Sequence, residues 1–350
     1  MLRFAWTSCA VLSVSIVVAC DAGTETNDTG TSSGGFLQTS ASTGFVACEA
    51  IRVTADLKPL NLYIAMDASS SMAGNKWDAA KAGLSAWAHD QKADGIQVAL
   101  SFFPRPAGGP PACDPSGYVT PVVDYGLLVG HADALDAAMN ARSPDGFSSP
   151  VYPALGGALT ASLARIENKP GEVAAVLLVT DGKPQGPAAT CGGVNPEDAQ
   201  VIADLAATGT TFDPPITTYV VGLPGVDQTI ANQIAAAGGS DAAILVAATN
   251  VETQFRDALS KVRGDAIPCS YEIPDSLKDG ETSVNAVNIE ITQTGQEPAI
   301  LPQDSTCVAE GWRYDDATTS IVLCPATCER LKADVTASIE VLLGCATIVR

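Results

Sequence analysis

Leu62-Tyr63-Ile64-Ala65-Met66-Asp67-Ala68-Ser69-Ser70-Ser71-Met72 is the stretch on which the reading of the fold turns. Five mostly apolar residues run straight into Asp-x-Ser-x-Ser, and Gly74-Asn75 follows. An apolar run without polar alternation suits a strand buried on both faces, the central kind in a parallel sheet. Asn75 is then expected to cap a helix starting at Lys76. The Asp/Ser triplet would sit on a loop at the carboxyl end of that strand, the edge where open α/β sheets bind their ligands. One carboxylate and two hydroxyls within five residues suit a hard divalent cation such as Mg²⁺ or Mn²⁺. Taken alone, the triplet suits a polar turn with no metal equally well, so the rest of the chain must decide.

Outward from this stretch, strand and helix patterns alternate. Residues 76–92 place Trp77, Ala80, Leu84 and Trp87 at helical spacing, a core face. Residues 96–102 alternate as a half-buried strand should, 118–125 are a further strand candidate, and 131–142 a short helix. Ser149-Pro150 closes a turn-rich segment before a helix with Pro153 near its start. Ala174-Ala175-Val176-Leu177-Leu178-Val179 is a second buried-strand run, and it stops at Thr180-Asp181-Gly182. Helices are expected at 196–207, 228–237 and 251–263, with strands at 216–222 and 243–246. This predicts an α/β fold with a doubly wound, mostly parallel sheet. After Arg263 the texture changes to short strand candidates (286–292, 320–323, 338–343) and one brief helix at 328–334. A small, disulfide-rich, β-rich C-terminal domain is expected there.

The chain has 350 residues, 46% of them hydrophobic, with 19 basic against 39 acidic side chains and a formal net charge of −20. That balance argues against a nucleic-acid partner, because little here could neutralise a run of phosphates. At the amino terminus, Arg3 precedes an apolar stretch too short for a membrane span, ending Val17-Val18-Ala19-Cys20. This looks like the lipobox of bacterial lipoproteins, which implies removal of residues 1–19 and acylation of Cys20, hence a membrane partner through a lipid anchor. Residues 20–47 are Thr/Ser/Gly-rich and read as a flexible tether.

Besides Cys9 and Cys20, eight cysteines remain: Cys48, Cys113, Cys191, Cys269, Cys307, Cys324, Cys328 and Cys345. With only His89 and His131 available, and neither near a cysteine pair, disulfides are expected rather than zinc. Cys48 and Cys269 bracket the α/β domain (48–266), whose ends are expected to lie together. Cys113 and Cys191 could pair near the metal loops. The remaining four would pair among themselves within 267–350.

Asp67/Ser69/Ser71, the hydroxyl loop at Ser149-Pro150 and Thr180-Asp181-Gly182 come in that order on three loops of one sheet. Together they resemble the von Willebrand factor A domain with its metal-ion-dependent adhesion site. The first motif matches the family's D-x-S-x-S fully, and the third its T-D-G. The middle loop usually supplies a threonine; Ser149 stands there, with Ser148 as the neighbouring candidate. A serine keeps the ligand oxygen but loses the methyl that restricts χ1. The resemblance covers roughly residues 57–264. It implies that Ser69, Ser71 and Ser149 would bind Mg²⁺ or Mn²⁺ directly, and Asp67 and Asp181 mainly through water. An open position would remain for a protein partner's Asp or Glu. More narrowly, the layout resembles bacterial cell-surface lipoproteins whose C-terminal extension reads like Leu323-Cys324-Pro325-Ala326-Thr327-Cys328 and Val341-Leu342-Leu343-Gly344-Cys345. An enzyme is not expected. No G-x-S-x-G elbow is present, and two histidines do not make a metallohydrolase site. The alternative is a structural envelope component whose metal site only braces its loops.

Overall fold

The computed structural model describes residues 51–350 apart from 55–58, 91–95, 106–113, 129, 187–190, 192, 267–268, 274–282, 294, 316, 319, 334–337 and 345. The expected leader, lipidation site Cys20 and tether, and Cys48, Cys113 and Cys345, lie outside the described residues.

A strand β1 (Ile51–Thr54) precedes the α/β body. The body's sheet is built from β2 (Leu60–Asp67), β3 (Ile96–Phe103), β4 (Val123–Leu127), β5 (Val173–Thr180), β6 (Thr217–Gly222) and β7 (Ile244–Leu245). Its helices are α1 (Asn75–Ala88), α2 (Ser116–Val119), α3 (Ala132–Ala141), α4 (Val151–Asn168), α5 (Ala199–Gly209), α6 (Gln228–Ala237) and α7 (Val251–Ala266). The sheet order is β4-β3-β2-β5-β6-β7, every pair parallel except β3 with β4. That is the doubly wound arrangement expected, with an antiparallel edge.

Both faces of β2 are buried, which is why its sequence shows no alternation. Leu62, Ile64 and Met66 face one layer with Trp77, Leu84 and Trp87 of α1 and Phe255 and Leu259 of α7. Tyr63 and Ala65 face the other, with Leu155 and Leu159 of α4, Ile202 of α5 and Ile234 of α6. The chain turns at the centre of the sheet, between β2 and β5, so the loops after both strands emerge side by side at the carboxyl edge.

Two local readings are corrected. The strand expected at 118–125 is split. Tyr118 lies buried in α2, its carbonyl accepting from the Tyr63 hydroxyl at 2.5 Å, and the strand begins only at Val123. Tertiary contacts decide here: the Arg105 guanidinium donates to the carbonyls of Gly117 and Thr120 and stacks over the Tyr118 ring. Asn75 does not cap α1. It is the first helical residue, and Gly74, at φ 78°, takes the cap position without a side-chain bond.

Beyond α7, two antiparallel sheets share one core. One has the order β1-β13-β9-β10, with β9 (Val287–Thr292), β10 (Ala299–Leu301) and β13 (Ser338–Leu343). The other has the order β11-β12-β8, with β8 (Ser270–Glu272), β11 (Trp312–Tyr314) and β12 (Ser320–Leu323). Helix α8 (Pro325–Ala333) adds Leu331 to a core of Tyr271, Trp312, Ile289, Ile321 and Val341. The chain passes through this unit before it enters the body, because Ile51 pairs with Leu343 and Thr54 with Glu340. The first strand after the expected boundary at residue 48 therefore belongs to the C-terminal sheet.

The cysteine pairing also differs from expectation. Cys269 bonds Cys328, and Cys307 bonds Cys324. Cys269 is thus not Cys48's partner, and the four cysteines after residue 300 do not pair only among themselves. The cause is register: the Leu323 amide donates to the Cys269 carbonyl at 2.9 Å. That sets Cys269 beside the end of β12, and the first turn of α8 then delivers Cys328 at a Cα separation of 5.6 Å. Cys191 is disulfide-bonded to a partner outside the described residues. No helix among the described residues is long and apolar enough to cross a membrane.

Candidate metal centre

Asp67 is the last residue of β2, and its side chain is buried. One carboxylate oxygen, Oδ1, accepts from the Ser69 amide at 2.8 Å; the other, Oδ2, accepts from the Thr180 hydroxyl at 2.7 Å. Neighbouring parallel strands thus exchange a hydrogen bond at their carboxyl ends. The Ser69 and Ser71 hydroxyls are 2.9 Å apart, and Ser71 Oγ donates to Asp181 Oδ1 at 2.7 Å. Asp181, one residue beyond β5, has a fully buried side chain whose Oδ2 is ion-paired with the Lys76 ammonium. Asp67, Ser69, Ser71 and Asp181 therefore form one ring, linked through the Ser69 amide and the two serine hydroxyls and closed by Thr180, the neighbour of Asp181 in the chain.

The middle loop is fixed to this ring through its backbone. Ser69 and Gly146 form a parallel bridge, with Ser70 N donating to Gly146 O at 2.7 Å and Gly146 N to Ala68 O at 3.3 Å. Only glycine fits at 146, since a Cβ there would lie 2.1 Å from Pro104 Cγ. On the far side, Gln185 N donates to Ser149 O at 2.9 Å, tying the middle loop to the segment that follows Asp181. Ser149 is 4% exposed, and its hydroxyl makes no hydrogen bond among the described residues. Ser148 is half-buried beside it.

The electrostatics ask for positive charge. Burial pushes the Asp67 carboxyl above its ordinary range, and the negative charge of Asp181 adds to this. The hydrogen bonds from Ser69 and Thr180 pull the other way without cancelling it. Of the two buried carboxylates, Asp181 is paired with the Lys76 ammonium, and Asp67 has no cationic partner among the described residues. The donors are carboxylates and hydroxyls only, the set that suits a hard divalent cation. The residues present fit such an ion.

Sequence reasoning missed two features. Lys76 is one; its position in the first turn of α1, just after the Asp-x-Ser-x-Ser loop, was the available signal. The other is a group at the opposite end of α1. His89, Asp133 and Asp136 offer ligand atoms that all lie within 4.8 Å of one another. His89 Nε2 is 3.0 Å from Asp136 Oδ2 and 3.8 Å from Asp133 Oδ1, and Ser85 Oγ donates to Asp136 at 2.9 Å. These ligand types could hold a transition metal. Asp133 is 98% exposed, so the group also stands as a solvated polar clamp between α1 and α3. The i,i+3 spacing of Asp133 and Asp136 was legible, but not their approach to His89. His131 is committed elsewhere, its Nε2 2.9 Å from the Asp124 carbonyl.

No protein-family model matches the chain, and no curated protein does. Among solved structures it is similar to proximal thread matrix protein 1 from the mussel byssus, at 17% identity over 63% of this chain and 50% of that one, with a TM-score of 0.39. It is also similar to the vWF domain of the type V pili tip protein Mfa5 from Porphyromonas gingivalis, at 13% identity over 64% of this chain and 99% of that domain, TM-score 0.41. A third similarity is to manganese-loaded TRAP protein of Plasmodium vivax, at 15% identity over 53% of this chain and 65% of that one, TM-score 0.33. The chain spans about half the length of the mussel protein and about two thirds of the Plasmodium one.

Proposed function

We propose that this chain is a non-enzymatic protein-binding module that takes its partner's Asp or Glu through a divalent cation, Mg²⁺ or Mn²⁺. The observation that carries the reading is the pair of buried carboxylates, Asp67 and Asp181, joined through Ser69 and Ser71 at the carboxyl edge, with one ammonium paired to Asp181. Ser69, Ser71 and Ser149 would supply neutral oxygens, and the two aspartates would orient water. When bound, the ion supplies an electrophilic position that a partner carboxylate can fill. Neutral hydroxyls leave most of its charge in place for that partner. Phe147, 98% exposed on the middle loop two residues before Ser149, offers an aromatic contact beside it.

The module is proposed to be exported and lipid-anchored through Cys20 to a bacterial envelope. The disulfides fit an oxidising compartment. Labelling with a radioactive fatty acid, lost in a Cys20→Ala chain, tests the anchor.

The function is tested by Mg²⁺-dependent capture of a partner from envelope extract, compared with capture under chelator and by a Ser69→Ala/Ser71→Ala chain. Capture that survives both treatments refutes the metal-bridged reading. A second reading, a bracing site in a structural component, draws on the Lys76–Asp181 ion pair, which ties the loops together without a metal. It expects no change in partner capture on chelation.

A further inference from the structure

We infer that Lys76 is a built-in counter-cation that holds the oxygen ring together while it is metal-free and must leave Asp181 when a divalent ion enters. The inference rests on the metal reading above and adds a competitor to it.

Asp181 is fully buried, and a buried carboxylate without a positive partner is costly. Of its two oxygens, Oδ1 takes the Ser71 hydroxyl and Oδ2 takes Lys76, so the ammonium and the Ser-x-Ser loop share one carboxylate. The placement of Lys76 runs against local preference. It is the second residue of α1, where the helix dipole favours negative charge. Asp181 is the one carboxylate that pairs with Lys76 among the described residues, and it offsets this placement.

The ammonium also has somewhere to go. Its side chain is 26% exposed, and Nζ already donates to the Pro224 carbonyl at 3.3 Å. A lysine suits this role better than an arginine would, because its point charge sits on a flexible stem and makes no bidentate clamp. The loop beside it is shaped for close approach. Gly225, at φ +112°, has its missing Cβ 2.8 Å from the Asp181 carbonyl and 3.8 Å from Lys76 Nζ. A divalent ion among the same oxygens repels the ammonium, so metal affinity and the Lys76–Asp181 bond are linked with opposite sign. Lys76 then lowers the affinity that the same oxygens would have without it.

The test is a Mn²⁺ titration of the full chain, read by electron paramagnetic resonance of the free ion, together with melting temperature in chelator and in Mn²⁺. Lys76→Met keeps the stem and removes the charge; Lys76→Gln keeps a donor for Asp181 in case the first variant folds poorly. Both should bind Mn²⁺ about tenfold more tightly than the parent, a typical coupling between linked sites. Both should also melt lower in chelator and gain more from Mn²⁺. Equal affinities and equal melting in parent and variants would overturn the Lys76 inference while leaving the metal centre standing. If neither parent nor variant binds Mn²⁺, the metal reading itself fails and this inference with it.

Discussion

Two acidic turns in this molecule share a local sequence logic and end in opposite electrostatic states. At the carboxyl edge, Asp67 is followed two residues later by Ser69, whose amide it caps at 2.8 Å. In the C-terminal unit, Asp304 is followed two residues later by Thr306. There Oδ1 accepts the Thr306 amide at 2.9 Å, the Thr306 hydroxyl at 2.6 Å and the Cys307 amide at 3.0 Å. The Thr306 hydroxyl, chiefly, holds the Asp304 carboxyl below the usual carboxylate range, with the amides of Thr306, Cys307 and Val308 helping. At Asp67 burial wins instead, and the neighbouring Asp181 deepens the cost of charge. An Asp-x-Ser/Thr turn whose Oδ1 gathers the hydroxyl and amides of its own loop is a structural part. The same turn beside a second buried carboxylate, Asp181, suits the cation proposed above. At Asp304 the structural part orients Cys307 for its bond to Cys324.

The sharpest way to break this contrast is Asp67→Asn. It should cut Mn²⁺ affinity by about a hundredfold, about 3 kcal/mol, while leaving the melting temperature in chelator unchanged or higher. An unaltered Mn²⁺ isotherm would put the two turns in the same class. At the other turn, replacing Cys307 and Cys324 by serine opens a link with a sequence separation of 17 residues. On the chain-entropy model this costs about 3 kcal/mol of stability. Denaturant midpoints should drop, and Mn²⁺ binding should not. A smaller pair of changes compares the hydroxyls. Thr180→Val strips a donor from a buried carboxylate and should cost roughly 1–3 kcal/mol in chelator. Thr306→Val leaves Asp304 its backbone donors and should cost less. The reverse ranking in urea melts would count against the contrast. Mildest is a pH effect. Because the native Asp304 carboxyl is depressed, its contribution is fully present above the ordinary carboxylate value of about 3.9 and is lost as pH falls through the native one. Acid titration followed by fluorescence of buried Trp312 should show that loss in the parent and not in Asp304→Asn.

The α/β body was legible because its central strands are buried on both faces. Their apolar runs at 62–66 and 174–179 leave helical stripes as the other strong periodicity. Helix α6 falls at 228–237 as read, helped by Asp227, whose carboxylate caps the amides of Thr229 and Ile230. The edge strand β4 was not legible in the same way. Tyr118 looks like a strand residue and is held in a helical turn by Arg105, a side-chain contact that hydrophobic periodicity does not report. β1 was illegible for a similar reason, since its partner β13 lies almost three hundred positions away. At the site, Asp67, Ser69, Ser71 and Asp181 do meet, because their spacing places them on loops after adjacent strands. Lys76 and the His89 group depend on side chains reaching across elements, and spacing alone does not encode that.

The central place of β2 has a mechanical consequence. The strand lies between β3 and β5 and is paired in parallel with both along its length. Tension that enters from the amino-terminal side and leaves through a ligand held at Asp67 runs along the strand axis. It pulls across both hydrogen-bond ladders at once rather than peeling them open one rung at a time. A molecule gripped at this edge and held from the other end would be loaded in shear, the direction in which a sheet resists rupture best.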